Sequence, residues 1–270
     1  MQTEFYDLSY VEVLLATLLI LANVGVSMVL RLGLSRRLTV ASCRTVIQLM
    51  IVGFVLQWVF TRMPLPGVLV LMLAMSVAAG ISGVRRVGRR FRGIWLNGIL
   101  AVAGSGWLIT AIALMGIIQP HVWRDHFAQY AIPFLGMVLG NALNSISLAL
   151  DRFTEKLATQ REQVELRLTL GATRWEAAHE LIQDAIRTGM IPIINTMSVV
   201  GIVNLPGMMT GQLLAGAAPS AAVKYQIVII FMIAATTALG TTTTVLLSYR
   251  SLFSREHQFL ADRIHRVRQA

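Results

Sequence analysis

The chain has 270 residues, 56% of them hydrophobic, with a net charge of +10 and a mean hydropathy of +0.68. That apolar content exceeds the ~45–50% of an ordinary soluble domain, and it is gathered into long blocks that a water-soluble core does not need. The basic residues sit between those blocks rather than on an aromatic-studded face, which argues against nucleic-acid binding, and the single cysteine, Cys43, excludes an intrachain disulfide.

A membrane-spanning helix needs about 20 apolar residues. The first ten residues carry Glu4 and Asp7 but no Lys or Arg, unlike the positive start of a cleaved signal peptide, so the first block, Val11 to Leu30, is expected to be retained as a helix. Leu38 to Phe60 follows, with Arg44 and Gln48 inside it; an arginine near a helix end can extend its head to the interface. Next come Pro66 to Val84, Ile94 to Ile118 and Phe127 to Leu150. After a hydrophilic insertion come Met190 to Leu214, interrupted by Pro206-Gly207, and Ala221 to Tyr249. None suits a β-barrel strand, which is about 10 residues long and alternates. The expectation is an all-α polytopic transmembrane bundle of about seven spans, a single domain over 1–270.

Charge sets the orientation. Arg31, Arg36 and Arg37 follow the first segment. Arg85, Arg86, Arg89, Arg90 and Arg92 follow the third, the insertion follows the fifth, and the tail over 250–270 holds Arg250, Arg255, Arg263, Arg266 and Arg268. The alternate loops hold only Arg62, Arg124 and Lys224. The positive-inside rule then places the N-terminus outside and the C-terminus in the cytoplasm.

The insertion, residues 151–189, reads as a helical hairpin. Arg161 and Glu165 are spaced as an i,i+4 ion pair. Gly171 suits a left-handed helix cap. Thr173 and Glu176 form a capping box, so a new helix starts at Arg174. Trp175, Ala178, Ile182 and Ile186 make one stripe on it. Either this is a short helix lying on lipid, or it presents the turn at Gly171, Ala172 and Thr173 to a motor protein.

Glu165-Leu166-Arg167 followed by Gly171-Ala172-Thr173 resembles the cytoplasmic EAA-type loop of ABC transporter permeases, which docks in a cleft of the ATPase. Two alanines of that pattern are replaced, and Gln183-Asp184 stands where a Leu-Pro is usual. A longer match lies downstream. Leu205-Pro-Gly-Met-Met-Thr-Gly-Gln-Leu-Leu-Ala-Gly216 and Ala222-Val-Lys-Tyr-Gln-Ile-Val-Ile-Ile-Phe-Met232, with Arg44-Thr-Val-Ile-Gln-Leu49 and Asn141-Ala-Leu-Asn144, resemble the FetB-type iron-export permeases. That family also includes plant aluminium-tolerance permeases. The resemblance implies a permease in a bacterial plasma membrane that pairs with a separate ATP-binding subunit and a second copy of itself. Glu165, Gly171, Ala172, Thr173 and Trp175 would then form the ATPase-coupling element.

No engine is visible in the chain itself. A P-loop needs Gly-Lys-Ser/Thr; the only lysines, Lys156 and Lys224, have neither neighbour. Metallopeptidase, serine-hydrolase and Cys-x-x-Cys motifs are absent too. The chain is expected to be no enzyme and to hold no cofactor, with ATP acting through the partner.

A substrate path should show as polar groups inside apolar segments. Asn204, Pro206, Met208, Met209, Thr210 and Gln212 cluster at the interrupted segment. A broken helix frees carbonyls that can meet a cation, and the methionines offer soft sulfur; the alternative is a kinked, packed helix. Asn141 and Asn144 extend the path or bond between helices, beside a Gly136/Gly140 pair that permits close packing. His121, Asp125 and His126 are further candidate metal ligands in an outer loop. The leading function is an ABC permease exporting iron or a related metal ion. A secondary transporter is the alternative, but such carriers often bury acids for coupling; Glu12, the one acid in the apolar segments, lies near an edge. A non-metal substrate is compatible as well.

The orientation has a direct check. In a Cys43→Ser background, a single cysteine at Gln119 should react with an impermeant maleimide added outside, and one at Gly88 should not. Equal labelling of both from outside would exclude the seven-span reading.

Overall fold

The structure, a computed structural model, describes residues 9–118, 120–124 and 126–266. Ten α-helices are seen among them: α1 (Tyr10–Val29), α2 (Ser35–Arg62), α3 (Leu65–Arg85), α4 (Ile94–Ile112), α5 (Pro120–Trp123), α6 (Phe127–Thr159), α7 (Arg161–Thr169), α8 (Arg174–Val199), α9 (Gly207–Leu214) and α10 (Pro219–Leu252). A π-helical turn, Ala113–Ile117, extends α4. Two short strands, β1 (Arg89–Arg90) and β2 (His265–Arg266), pair antiparallel.

Hydrocarbon offers no partner to a peptide group, so helices that satisfy their own backbone are the default. Six of the described helices are long and apolar enough to cross a membrane: α1, α2, α3, α4 with its extension, α6 and α10. The segment Met190 to Leu214 is not a single helix but is interrupted, as Pro206-Gly207 led one to expect. Its first ten residues finish α8, which begins back at Arg174 and runs for 26 residues. The chain then leaves helical geometry over 200–206 and resumes as the 8-residue α9. Pro206 lacks the N–H that would continue the ladder and pushes Leu205 out of the helical region, which accounts for the gap.

The described residues form two compact units. One holds α1 and α2 with Gly211–Ala217. Ser9 and Glu12 start α1 as a reciprocal capping box, and Ser27 Oγ accepts the Leu34 N–H at 3.2 Å across the turn into α2. The side chains of α1 and α2 are almost all exposed, Leu14, Leu19, Leu49 and Phe54 among them, as helices bathed in lipid would be. Cys43 is exposed too.

The other unit holds Leu65–Thr210 and the chain from Ala218. Here α10 packs on α4, α6 and α8, and α3 packs on α4 and α6. Three elements meet closely at Gly189 of α8, where an added Cβ would lie 2.7 Å from Ala149 Cβ, 2.8 Å from Thr241 Cγ2 and 2.9 Å from the Ser145 carbonyl. Small residues let backbones meet this way in lipid. The expected Gly136/Gly140 pair does not serve that end, since nothing lies within 4 Å of a Cβ at Gly140.

A buried apolar cluster lies at the Arg-rich end. Val84, Val87, Phe91 and Ile94 meet Leu150, Phe153 and Leu157 of α6. Val164, Ala178, Leu181 and Ile182 of the hairpin, with Val245, Leu252 and Phe253, close the cluster. The second hairpin helix therefore buries its apolar stripe against protein, not lipid. It is also no short interfacial helix, because it continues into α8's apolar half. The methyl group of Gly189→Ala should lower the melting temperature in detergent by several degrees, whereas Gly140→Ala should leave it unchanged or raise it. At Phe153, substitution by Ala should cost about 3–5 kcal/mol, read by chemical unfolding.

Candidate functional site

Two regions contain the residues singled out from the sequence. The first is the hairpin turn. α7 ends in a Schellman motif: the Gly171 N–H donates to the Leu168 carbonyl at 3.1 Å and the Ala172 N–H to the Arg167 carbonyl at 3.0 Å. Gly171 sits at φ +91°, the left-handed region that glycine tolerates without strain. Thr173 then caps α8. Its Oγ1 accepts the Glu176 N–H at 3.3 Å, while its own N–H and hydroxyl donate to Glu176 Oε2 at 2.7 and 2.8 Å. The sequence expectation for this turn holds residue by residue, including the Arg161–Glu165 pair at 2.7 Å.

Further contacts fix the turn from behind. Arg167 on α7 pairs with Glu180 on α8 at 2.7 Å, and Arg152 on α6 with Asp184 at 2.7 Å. The tail joins as well. The Arg174 N–H donates to His257 Nδ1 at 2.9 Å, and the Arg174 guanidinium to the Ser254 carbonyl at 3.0 Å. Trp175 stands edge-on to Tyr249 with ring centroids 5.8 Å apart. The β1–β2 pairing ties the tail to the loop after α3. Sequence gave no sign of this tail docking, because its pieces lie about eighty residues from the turn. The outer face of the hairpin carries two exposed apolar side chains, Leu166 and Leu170, 59% and 78% exposed, while Trp175 is 44% exposed beside its contact with Tyr249.

The second region is the interruption between α8 and α9. Gly201, at φ +80°, donates its N–H to the Asn204 carbonyl at 2.9 Å, while Val199 O collects N–H groups from Ile202, Val203 and Asn204. Asn204 is exposed; Pro206, Met208, Met209 and Thr210 are half-buried, as is Gln212 further along α9. Thr210 Oγ1 donates to the Pro206 carbonyl at 3.2 Å. A cavity of about 280 Å³ opens here, lined by Val200, Leu205, Pro206 and Met209 on one side and Val223, Gln226, Ile227 and Ile230 of α10 on the other.

The remaining candidates do not join that cavity. Asn141 is exposed and its amide donates to its own helix at Met137 O, 2.8 Å away. Asn144 accepts from the Arg86 guanidinium, which makes it a tie between α6 and the loop after α3. His121 and His126 are exposed; Asp125 lies outside the described residues. Among the described residues no three His, Cys, Asp or Glu side chains gather as a metal centre.

What sequence reading missed is a buried polar face on α10. Gln226, Thr237, Thr244 and Ser248 fall within about 40° of one another at 3.6 residues per turn, and all are buried. Gln226 Oε1 and the hydroxyls of Thr237 and Thr244 have no hydrogen-bond partner. The run Thr241-Thr-Thr-Thr244 was the visible signal. Every buried polar side chain among the described residues is Ser, Thr, Asn or Gln, so the interior is uncharged.

Two carboxylates of the hairpin sit below their ordinary range. Glu176 is lowered by the backbone N–H of Thr173 and then by its hydroxyl. Asp184 is lowered by the hydrogen bond from Arg152, against an opposing effect of partial burial. A depressed pKa contributes stability above the unfolded-state value that is lost as pH falls through the folded-state value. Hydrogen-exchange protection in α7 and the first turns of α8, corrected for the pH dependence of intrinsic exchange, should stay flat from neutral pH down to about 5 and fall below about 4. A Glu176→Gln, Asp184→Asn chain should exchange faster at neutral pH and lose most of that acid dependence.

The family described as "Uncharacterised protein family (UPF0014)" matches residues 10–253. A UPF0014 membrane protein of Synechocystis is 38% identical over 231 residues, covering 85% of this chain and 88% of the relative. The "Probable iron export permease protein FetB" of Escherichia coli is 30% identical over 250 residues, 93% of this chain and 94% of that one. The "Protein ALUMINUM SENSITIVE 3" of Arabidopsis thaliana is 28% identical over 243 residues, 90% of this chain and 87% of the relative. No solved structure matches.

Proposed function

Since this chain belongs to the UPF0014 family of integral membrane proteins, we propose that it is the membrane subunit of an ABC transporter, exporting iron or a related metal ion from a bacterial cytoplasm. On this reading a separate ATP-binding subunit supplies the energy, and two copies of the chain make the transmembrane assembly. Seven spans with the hairpin in the cytoplasm belong to the same reading, α8 and α9 together making the sixth crossing. The FetB relative's name supplies iron and export.

The observation that most supports this reading is the build of the hairpin. A helix lying on lipid would bury its apolar stripe in the bilayer and leave its turn unsupported. Here the stripe is buried in protein, the turn is locked at both helix ends, and uncovered leucines project from the other face. A rigid projection with an apolar tip suits a cleft in a partner, since a lever must transmit force without bending. Leu166 and Leu170 are not needed for the fold, because they are exposed.

Under this reading the region around Pro206 is the moving part of the path. Carbonyls of the 200–206 stretch, Met208 and Met209 would touch the passing cargo weakly, as conduction demands.

Two experiments test the coupling role. Gly171→Pro forces φ near −65° on a residue at +91° and removes the N–H given to Leu168; it should abolish transport-coupled ATP hydrolysis while the chain still inserts. Leu170→Asp should weaken co-purification with the ATPase at least tenfold with no change in melting temperature. Retained coupling in both variants would return the hairpin to a purely structural role. Met208→Leu with Met209→Leu roughly conserves volume, so stability should change by less than about 1.5 kcal/mol. If sulfur contacts gate the ion, efflux from vesicles holding the ATPase should fall.

A further inference from the structure

Charge at the Arg-rich end is crowded in a way the fold does not require. The loop from Arg85 to Arg92 holds five arginines and no acid. In the β1–β2 pair Arg89 stands directly opposite Arg266, and Arg90 opposite His265. Residues so opposed share a face with Cβ atoms about 5 Å apart, and like charges there are destabilising. Val87 and Phe91 are buried in the apolar cluster and Ile264 packs against it, which holds the two strands in place. The arginines beside them gain nothing from that burial. Among the described residues none of Arg85, Arg86, Arg89, Arg90, Arg92 and Arg266 pairs with a carboxylate. Asp151, an acid close to β1, instead accepts the Gly88 N–H at 2.7 Å.

Phosphate suits such a cluster, because a planar guanidinium binds it through two N–H groups at once. The surroundings favour phosphate carried on a lipid. The Arg90 guanidinium lies 5.1 Å from the centroid of the Trp95 ring. Trp95 is exposed in the first turn of α4, a helix long and apolar enough to cross a membrane, and a Trp at the end of a span sits at headgroup depth. Leu96 and Leu100 follow on one exposed face of α4. Arginine, tryptophan and leucine thus succeed one another in the order of phosphate, interface and acyl chain, whereas a soluble anion would use the arginines alone.

We propose that the β1–β2 pair and the start of α4 form a binding surface for anionic phospholipid, with phosphates against Arg89, Arg90, Arg92 and Arg266 and acyl chains along Trp95, Leu96 and Leu100. The lipid has a consequence for the hairpin. β2 belongs to the tail whose His257 accepts the Arg174 N–H at the start of α8. Phosphate shared by Arg89 and Arg266 replaces repulsion across β1–β2 with attraction and so holds the tail in its docked position. This surface goes beyond the permease reading and does not depend on it.

The test uses the full chain in neutral detergent, titrated with phosphatidylglycerol or phosphatidylcholine bearing the same fluorescent acyl chains. Each arginine beside an anionic headgroup contributes roughly fivefold in affinity, so wild type should bind phosphatidylglycerol tighter by about tenfold or more. Arg89→Gln with Arg266→Gln should lose most of that preference. Arg31→Gln with Arg36→Gln, which removes the same charge from the loop after α1, should keep it. Trp95→Ala should weaken phosphatidylglycerol binding, and inorganic phosphate should not displace the lipid. Without lipid, the Arg89 and Arg266 double variant should melt no lower than wild type, because it removes a repulsion. Phosphatidylglycerol should then raise the melting temperature of wild type by several degrees and that of the double variant much less. Equal binding of the two lipids, or an equal loss of preference in the Arg31 and Arg36 variant, overturns the proposal. So does displacement by inorganic phosphate, which marks a site for a soluble anion, and so does a lower melting temperature of the lipid-free double variant, which makes the arginines part of the fold. No ATPase is needed. Lipid preference without ATP-coupled transport would count against the permease reading alone, and coupled transport without lipid preference would count against the lipid surface alone.

Discussion

A peptide group inside hydrocarbon must find its hydrogen bond within the protein, and most of this structure follows from that constraint. Long stretches of α1, α2, α3, α4, α6 and α10 satisfy it by unbroken helix. The departures from regular helix are therefore informative. One is the π-helical turn Ala113–Ile117 at the end of α4. The other is the stretch over 200–206, where a single carbonyl, Val199 O, serves three N–H groups in a tight turn. The backbone can leave the helix there only where protein or water lies alongside it, and the cavity against α10 provides such a place.

How legible each part was depended on the range of the interactions that make it. The hairpin turn was readable because a Schellman motif and a capping box are set within a few residues: Gly171 for its positive φ, Thr173 and Glu176 for their reciprocal bonds. The length of α8 was hidden. Its first half is polar enough to read as a cytoplasmic helix and its second half apolar enough to read as a span. The switch near Gly189 has no breaker, and Pro192 is accommodated without ending the helix. Amphipathicity also could not tell lipid from protein. Ala178 and Ile182 needed an apolar partner, and only the fold shows that α6 and α10 supply it.

The candidate path was legible in part for the same reason. Pro206-Gly207 marks a break from local chemistry alone. Gln226 lies about twenty residues away, and its unpaired oxygen is a property of packing. Asn144 failed in the opposite direction. It looked like an intramembrane polar residue with a pathway role, yet Arg86 from a distant loop takes up its oxygen.

An uncharged interior also constrains how any cargo can move. Hydroxyl and amide oxygens on the buried face of α10 can exchange partners at small cost, whereas a carboxylate there would have to be neutralised or would hold a cation tightly. Tight resting sites slow transit, because a conducted species must leave as readily as it enters. A carrier driven by a proton or sodium gradient has the reverse need, a buried acid whose charge changes with each cycle. The described residues bury none. The permease proposed above needs no buried acid, because its force would come from a partner outside the bilayer. On that proposal the hairpin would receive it, at a turn where two helix caps, two interhelical ion pairs and the docked tail meet.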